Sequence, residues 1–438
     1  MKHPITLGLV CMGRDSFDVA AAGELYEQKK RALREIENVR WVVIENLIKE
    51  VSEAEAAATL FLKEAVDGVV LLSGTFHLGH LALIFERHID QPKLLWGLNE
   101  LPHNGGKIRL NTVCAVNLNA SNLYKAGSDS YVCNVGDAID EAWVDAVRIR
   151  AALRSARFGY LGFRAHGFFN LSLDELSHFG ETGVMADYYD LREGYEQPVS
   201  AAELAESIAH TKKIFACGSV TDAQVEKVAR LVCSLRKFME KNRLDALAVR
   251  CWPEFAAQYG IAPCAAMSIL QAEGRVLSCE GDLQGAMSLL AFKAIGVRSP
   301  FLADLSQIDF ENNFALMWHC GVAPADLWDG ESERSLDTYF AGGKGVTADF
   351  VMRSGPVNIL RIDTARGKTR LFMQKGEAVP MEKLLRGTYA KVIFEKNTRE
   401  LIDLVTSSGV AHHVAMAYGD YMAVLQRLSR IMGWEVVA

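Results

Sequence analysis

The feature that most constrains this chain is the alternation of apolar runs with stretches of helical period. Residues 5–11 form an apolar run of the kind a strand shows when both faces of its sheet are covered. Residues 17–36 then repeat with helical period, 41–44 read as a second strand, and 52–65 as a helix with Ser52 as its N-cap. Further strands follow at 68–72 and 94–95. Strands alternating with helices predict a doubly wound parallel sheet, whose ligands bind beyond the carboxyl ends of the strands. Arg14, His77 and Asn99 occupy such positions.

With 438 residues the chain is too long for one core, so two or three domains are expected. A helix at 139–155 reads as a bridge to a second unit. That unit opens with a strand at 158–161 and a loop at 162–168 that carries Arg164. A short helix near 173–179, a strand near 184–188, a long helix at 221–240, a strand at 246–250 and a helix at 264–272 continue the alternation. Beyond about residue 330 helical period weakens, and short apolar runs such as 357–362, 369–373 and 390–394 are set between turn residues. The end reads helix, strand (414–418), helix (421–432), strand (434–437). The fold class is therefore α/β: two doubly wound parallel-sheet domains, 1–155 and 156–330, followed by a smaller, β-rich, barrel-like C-terminal domain, 331–438.

Composition narrows the function classes. Half the residues are hydrophobic, 23% are charged, and the formal net charge is −7. No basic block marks a nucleic-acid or anionic-membrane partner. No apolar stretch approaches the roughly 20 residues needed to cross a bilayer. The first apolar run reads as a β-strand rather than a signal peptide. Nine cysteines are scattered without a CxxC pair, which fits a reducing, cytoplasmic setting and small buried hydrophobes. Glycine pairs lack phosphate-loop spacing, which speaks against nucleotide binding.

The chemistry concentrates between residues 276 and 324. Three apolar runs each end at a potential metal ligand: Glu280, Asp304 and His319. His412 and His413 stand about 90 residues further on. Two carboxylates and imidazoles suit a hard or borderline divalent cation such as Mn²⁺ or Mg²⁺. Each residue also has a plainer reading. Glu280 and Asp304 are surface acids in most chains, and a histidine that closes an apolar strand is commonly a packed one. Of His412 and His413, a strand would turn at most one toward a shared metal. Asp282 is either an acceptor behind a ligand or the N-cap of the helix that follows it. Arg14 and Arg164 either hold a hydroxyl-rich or anionic substrate or form surface ion pairs.

Taken together, the segments Gly13-Arg14 with Phe17-Asp18, Gly159-Tyr160-Leu161-Gly162 through His166-Gly167-Phe168, Cys279-Glu280-Gly281-Asp282, Ala303-Asp304, Trp318-His319-Cys320-Gly321 and Gly409-Val410-Ala411-His412-His413 resemble the L-fucose/L-arabinose isomerase superfamily of ketol isomerases. The resemblance runs over essentially the whole chain. It implies two α/β domains and a β-rich C-terminal domain, a Mn²⁺-type site (or another divalent cation such as Mg²⁺ or Co²⁺), and homotrimers or homohexamers with active sites at subunit contacts. The fucose-type ligands fall on Glu280, Asp304 and His413. The further histidine of the arabinose type falls on His319, as ligand or substrate contact. Arg14, His77, Arg164 and His412 are then candidate substrate contacts, with Asp282 behind the ligands.

The expected reaction is aldose–ketose isomerisation of an open-chain pentose or 6-deoxyhexose through a cis-enediolate, with Glu280 and Asp304 as the acid/base pair. The competing readings are a non-catalytic cytoplasmic sugar-binding protein and a metal-dependent lyase or hydrolase.

Overall fold

The computed structural model describes residues 1–103 and 105–438. By its internal contacts the chain divides into two units, Met1–Ala151 with Ala423–Trp434, and Ala152–Met422 with Glu435–Ala438. Among the described residues no helix is long and apolar enough to cross a membrane.

In the first unit five parallel strands, β1 (Ile5–Met12), β2 (Val39–Val43), β3 (Gly68–Ser73), β4 (Lys93–Gly97) and β5 (Tyr131–Val135), stand in the order β2-β1-β3-β4-β5. The helices α1 (Val19–Leu33), α2 (Val51–Lys63), α3 (His80–His88), α4 (Thr112–Lys125) and α5 (Glu141–Ser155) connect and follow them. The apolar run read from the sequence explains the interior place of β1, between β2 and β3: Leu7, Leu9, Val10 and Cys11 are fully buried. The α2 boundary differs from expectation. Glu50, not Ser52, is the N-cap, and the Glu53 carboxylate accepts the backbone N–H groups of Lys49 and Glu50. A Glu at the third helical position thus moved the start back by one residue pair.

The second unit begins with four parallel strands, β6 (Arg157–Leu161), β7 (Met185–Tyr189), β8 (Ala246–Val249) and β9 (Val276–Cys279), in the order β7-β6-β8-β9. Seven helices accompany them: α6 (Glu175–Thr182), α7 (Leu191–Tyr195), α8 (Ala201–Ile214), α9 (Asp222–Asn242), α10 (Glu254–Gln258), α11 (Cys264–Ala272) and α12 (Leu283–Ala294). The helix α12 is buried on nearly every side, as a helix apolar all round must be.

The remaining strands are β10 (Phe301–Asp309), β11 (Phe314–His319), β12 (Ser335–Asp337), β13 (Thr347–Val351), β14 (Gly355–Ala365), β15 (Lys368–Val379), β16 (Thr388–Phe394), β17 (His413–Tyr418) and β18 (Glu435–Val437), with helices α13 (Thr398–Ser408) and α14 (Met422–Met432). Their sheet is nine-stranded, and the extra β15–β16 pairing closes β16-β11-β10-β17-β14-β15 into an antiparallel barrel. The barrel-like character expected from the sequence is present, but the sheet is the largest of the three rather than a small one. It also starts earlier than residue 331: β10 and β11 pair with β17 and β16, so the strands bearing Asp304 and His319 belong to it. The helix α14 falls with the first unit, where Arg427 pairs with Asp140 at 2.6 Å and Arg430 lies over the Tyr131 ring. Sequence order hides both facts, because strand pairing and helix docking join segments roughly seventy or more residues apart.

The first unit is tied by one buried cation. Arg148 on α5 is fully buried, pairs with Asp145 at 3.1 Å, and donates to the carbonyls of His3 (2.6 Å), Asn38 (3.2 Å) and Glu37. Breaking a buried charged network costs about 3–5 kcal/mol. Arg148→Met should lower the unfolding free energy by that amount in chemical denaturation. An unchanged midpoint would show that these carbonyls are satisfied without the guanidinium.

Candidate metal and sugar site

In the second unit the site is assembled from strand ends. Glu280 and Gly281 follow β9, and both take left-handed backbone angles, φ +63° and +68°. A Cβ at Gly281 would lie 2.2 Å from the carbonyl oxygen of Phe163, so only glycine lets the β9 turn press against the loop after β6. Glu280 in turn accepts the Ala165 N–H on its own carbonyl, 2.9 Å. A left-handed conformation at a glutamate is a strained one, and such strain persists where surrounding contacts over-determine it.

The Glu280 carboxylate is held on both oxygens. Trp252, just after β8, donates its indole N–H to Oε1 at 2.8 Å. Oε2 lies 3.0 Å from His413 Nε2 and 3.8 Å from His412 Nε2. Burial alone would raise its pKa, but the two histidines hold it well below the ordinary carboxylate range.

His413 opens β17 and is completely buried. Its Nδ1–H donates to Asp282 at 2.9 Å, which leaves Nε2 pointing toward Glu280 and toward Asp304 Oδ1, 3.5 Å away. Asp282 has two jobs at once. Its Oδ1 caps α12 by accepting the Gly285 N–H at 2.9 Å, and both its oxygens take the fully buried Arg361 guanidinium of β14. Asp282 is therefore the N-cap of α12 and, at the same time, an acceptor for the His413 ring. Beyond Arg361 lies Asp363, which is paired with Arg370 at 2.6 Å. Burial disfavours charge on His413, but Asp282 and Glu280 outweigh it and lift its pKa to about 9.

Asp304 and His319 face the same space from neighbouring strands. Single donor atoms of Asp304, His319 and His413 lie within 4.8 Å of one another, as do those of Glu280, His412 and His413. Asp304 Oδ1 and His319 Nε2 are buried yet make no hydrogen bond, and His413 Nε2 has only its ion pairs with Glu280 and Asp304. Converging polar atoms that are close but not bonded to each other are what a cation site requires. Charge points the same way. Arg361 neutralises Asp282 and Arg370 neutralises Asp363, so Glu280 and Asp304 are left to the histidines, and a divalent cation would take the place of the proton that His413 otherwise holds beside them.

His319 differs from His413. Its Nδ1 accepts the backbone N–H of Cys320 at 2.9 Å, so the ring proton sits on Nε2. A protonated nitrogen is a donor and not a ligand. Glu280, Asp304 and His413 could hold a metal, and His319 presents an N–H beside it.

The other expected residues are placed as follows. His412 does not turn away from His413, as alternation along a strand had suggested. It precedes the first residue of β17, so strand geometry does not yet apply, and the two ring centroids are 4.1 Å apart. Asn170 and Phe168 contact His412, with Asn170 Nδ2 3.0 Å from Nδ1 and Phe168 edge-on at 5.2 Å. Arg164 is half-buried in that loop, bonded to the Phe168 carbonyl at 2.6 Å, with its Nε unpartnered. Arg14 and His77 lie in the first unit. Arg14 is exposed on the loop after β1, at the strand-order reversal between β1 and β3. His77 is fully buried and engaged by Ser73 (3.1 Å) and Asn119 (3.3 Å) at Nε2 and by the Leu78 carbonyl (3.3 Å) at Nδ1. Burial pulls its pKa down to about 4, which makes it a neutral packed histidine of that sheet.

Sequence reasoning assigned no role to Trp252, Asn170 or Arg361. Only Arg361 left a signal: an arginine inside the apolar run 357–362 demands a buried anion.

Known proteins are similar to this chain in part and over most of its length. Residues 318–438, from Trp318-His319 through Arg361 to His413, match the family described as L-fucose isomerase, C-terminal domain. Sulfoquinovose isomerase of Priestia megaterium is 28% identical over 441 residues, 98% of each chain. Proteins of the same name from Alkalicoccus urumqiensis and Clostridium are each 26% identical, covering 85% and 78% of this chain and 86% and 80% of theirs. The chain is similar to that family in its C-terminal part and to these isomerases over most of its length. It is an aldose–ketose isomerase, as the sequence resemblance implied.

In this isomerase the partner of His413 is open to test. Asp282→Asn weakens the acceptor that fixes the His413 tautomer and unbalances Arg361. Loss of such an outer partner typically lowers metal affinity about 10–100-fold, and a buried charge left uncompensated costs about 3–5 kcal/mol. Both should appear, in Mn²⁺ titration and in denaturant unfolding. Wild-type affinity together with wild-type stability would remove Asp282 from the site.

Proposed function

We propose that this isomerase is metal-dependent and works on an open-chain aldose through a cis-enediolate. The observation that carries the reading is His413 Nε2, which lies 3.0 Å from Glu280 and 3.5 Å from Asp304, with Asp304 Oδ1 buried and unpartnered. These three residues would hold the cation, and Mn²⁺ suits their oxygen and imidazole donors better than Ca²⁺ does. When bound, it would supply positive charge where oxyanion character develops at O1 and O2.

The chain's own groups do the rest. One of the two carboxylates takes the proton from carbon, and the other moves a proton between the oxygens. Asp304, with Oδ1 unpartnered, is the freer of the two, since Glu280 is engaged on both oxygens. The Nε2–H of His319 donates to a substrate oxygen. Trp252, Phe168 and His412 form an aromatic wall, with Phe168 and Trp252 rings 5.9 Å apart in edge contact, that keeps water from the enediolate.

For the substrate we infer a six-carbon aldose, with sulfoquinovose the first to test, because the full-length relatives carry that name. The unpartnered Nε of Arg164 offers a donor to an anionic substituent. L-Fucose and L-arabinose, the sugars of the resemblance, are the comparison substrates. Assembly into a homotrimer or homohexamer is part of this reading. Phe169, Leu176 and Met185 stand 75%, 83% and 65% exposed in the second unit, and side chains of this kind favour cover by a neighbouring subunit.

Exhaustive chelation should abolish ketose formation, and Mn²⁺ should restore it better than Ca²⁺. Full activity after chelation would end the metal reading. Glu280→Gln and Asp304→Asn should each lower kcat by about 10²–10⁴-fold, and the double variant should be little worse than either, because the groups act as one unit. His413→Ala should chiefly lose metal, whereas His319→Gln should keep metal and lose rate. Equal metal loss in both would make His319 a ligand. Turnover of sulfoquinovose against L-fucose and L-arabinose, as kcat/KM, decides the substrate.

A further inference from the structure

Next to this site, but facing the core, four cysteines converge from four separate elements. Cys251 follows β8, Cys264 is the first residue of α11, Cys279 is the last of β9, and Cys320 follows β11. None is more than 3% exposed. The sulfurs of Cys264 and Cys320 are 3.4 Å apart, and those of Cys264, Cys279 and Cys320 all lie within 4.8 Å of one another. The neighbouring thiols of Cys264 and Cys279 also pull the buried Cys251 thiol below its ordinary range, which puts it at the edge of the same cluster.

Thiols are weak donors and weak acceptors, so contacts among them return little hydrogen-bond energy. A shared tetrahedral ion explains the convergence better. Zn–S bonds of about 2.3 Å set tetrahedral sulfurs roughly 3.8 Å apart, a spacing this cluster brackets. We propose that Cys251, Cys264, Cys279 and Cys320 bind one structural Zn²⁺, in a site distinct from the carboxylate and imidazole site. Thiolate softness selects zinc here, while the oxygen-rich site selects a harder cation. Binding is not a redox step: each S–H gives its proton to solvent as an S–Zn bond forms, so loading releases protons.

The consequence is mechanical. Cys279 immediately precedes Glu280, and Cys320 immediately follows His319. A zinc ion would clamp the ends of β9 and β11 together and fix the two chain corners from which those side chains project.

The test uses the full chain produced with zinc in the medium. After mild chelation that empties the carboxylate site, elemental analysis should find about one zinc per chain, with the four thiols resisting alkylation until the protein is unfolded with chelator. His413→Ala should retain that zinc, and Cys264→Ala or Cys320→Ala should lose it. Replacement by Co²⁺ should give strong thiolate-to-cobalt charge-transfer absorption in the wild type, a readout that stands even where a cysteine variant does not fold. Absence of retained zinc and of the cobalt band would overturn the proposal. So would a Cys264–Cys320 disulfide, seen as the loss of two hydrogens in peptide mass mapping.

Discussion

The bond between His413 and Asp282 is the one on which the site depends. It is fully buried, and it settles three matters together: the tautomer of His413, the direction of its Nε2, and the position of the turn that begins α12. Asp282 can serve all three only because Arg361 neutralises it from β14 inside the barrel. Such a buried ionic chain is a poor source of net stability. Its value is that it admits one arrangement of the strands that carry it.

The same constraint explains why this chemistry needs two kinds of sheet. The parallel sheet delivers Glu280 and Trp252 at the carboxyl ends of adjacent strands, next to the order reversal where such sheets bind ligands. The barrel delivers Asp304, His319 and His413 from three strands, with Asp304 paired directly opposite His413. Neither sheet alone brings two carboxylates and two imidazoles together. The helix α12, capped by Asp282 and buried on nearly all sides, fills the space between them in the second unit.

Much of this was legible in the chain. The alternation of apolar runs and helices gave the parallel sheets, because burial on both faces leaves a sequence pattern nearly free of polar residues. Glu280, Asp304 and His413 stood out because each ends or begins such a run. What was not legible has a common cause. The neighbours of His412 depend on where β17 starts, and a one-residue boundary changes which way a ring turns. Trp252 and Asn170 look like ordinary loop residues until β6, β8 and β9 are laid side by side. The early start of the barrel sheet depends on β10 pairing with β17 and β11 with β16, contacts that local pattern does not encode.

The sequence by itself determined most of the strand and helix alternation and singled out the carboxylates and histidines as candidates, because periodicity and residue type are local properties. Tertiary structure alone decided which lone pairs face the same point. That Nε2 of His413 is free to bind a cation while Nδ1 of His319 is occupied by a backbone N–H is a matter of which partner sits behind each ring. Those partners are one residue away for His319 and 131 residues away for His413, so only the folded chain could tell the two histidines apart.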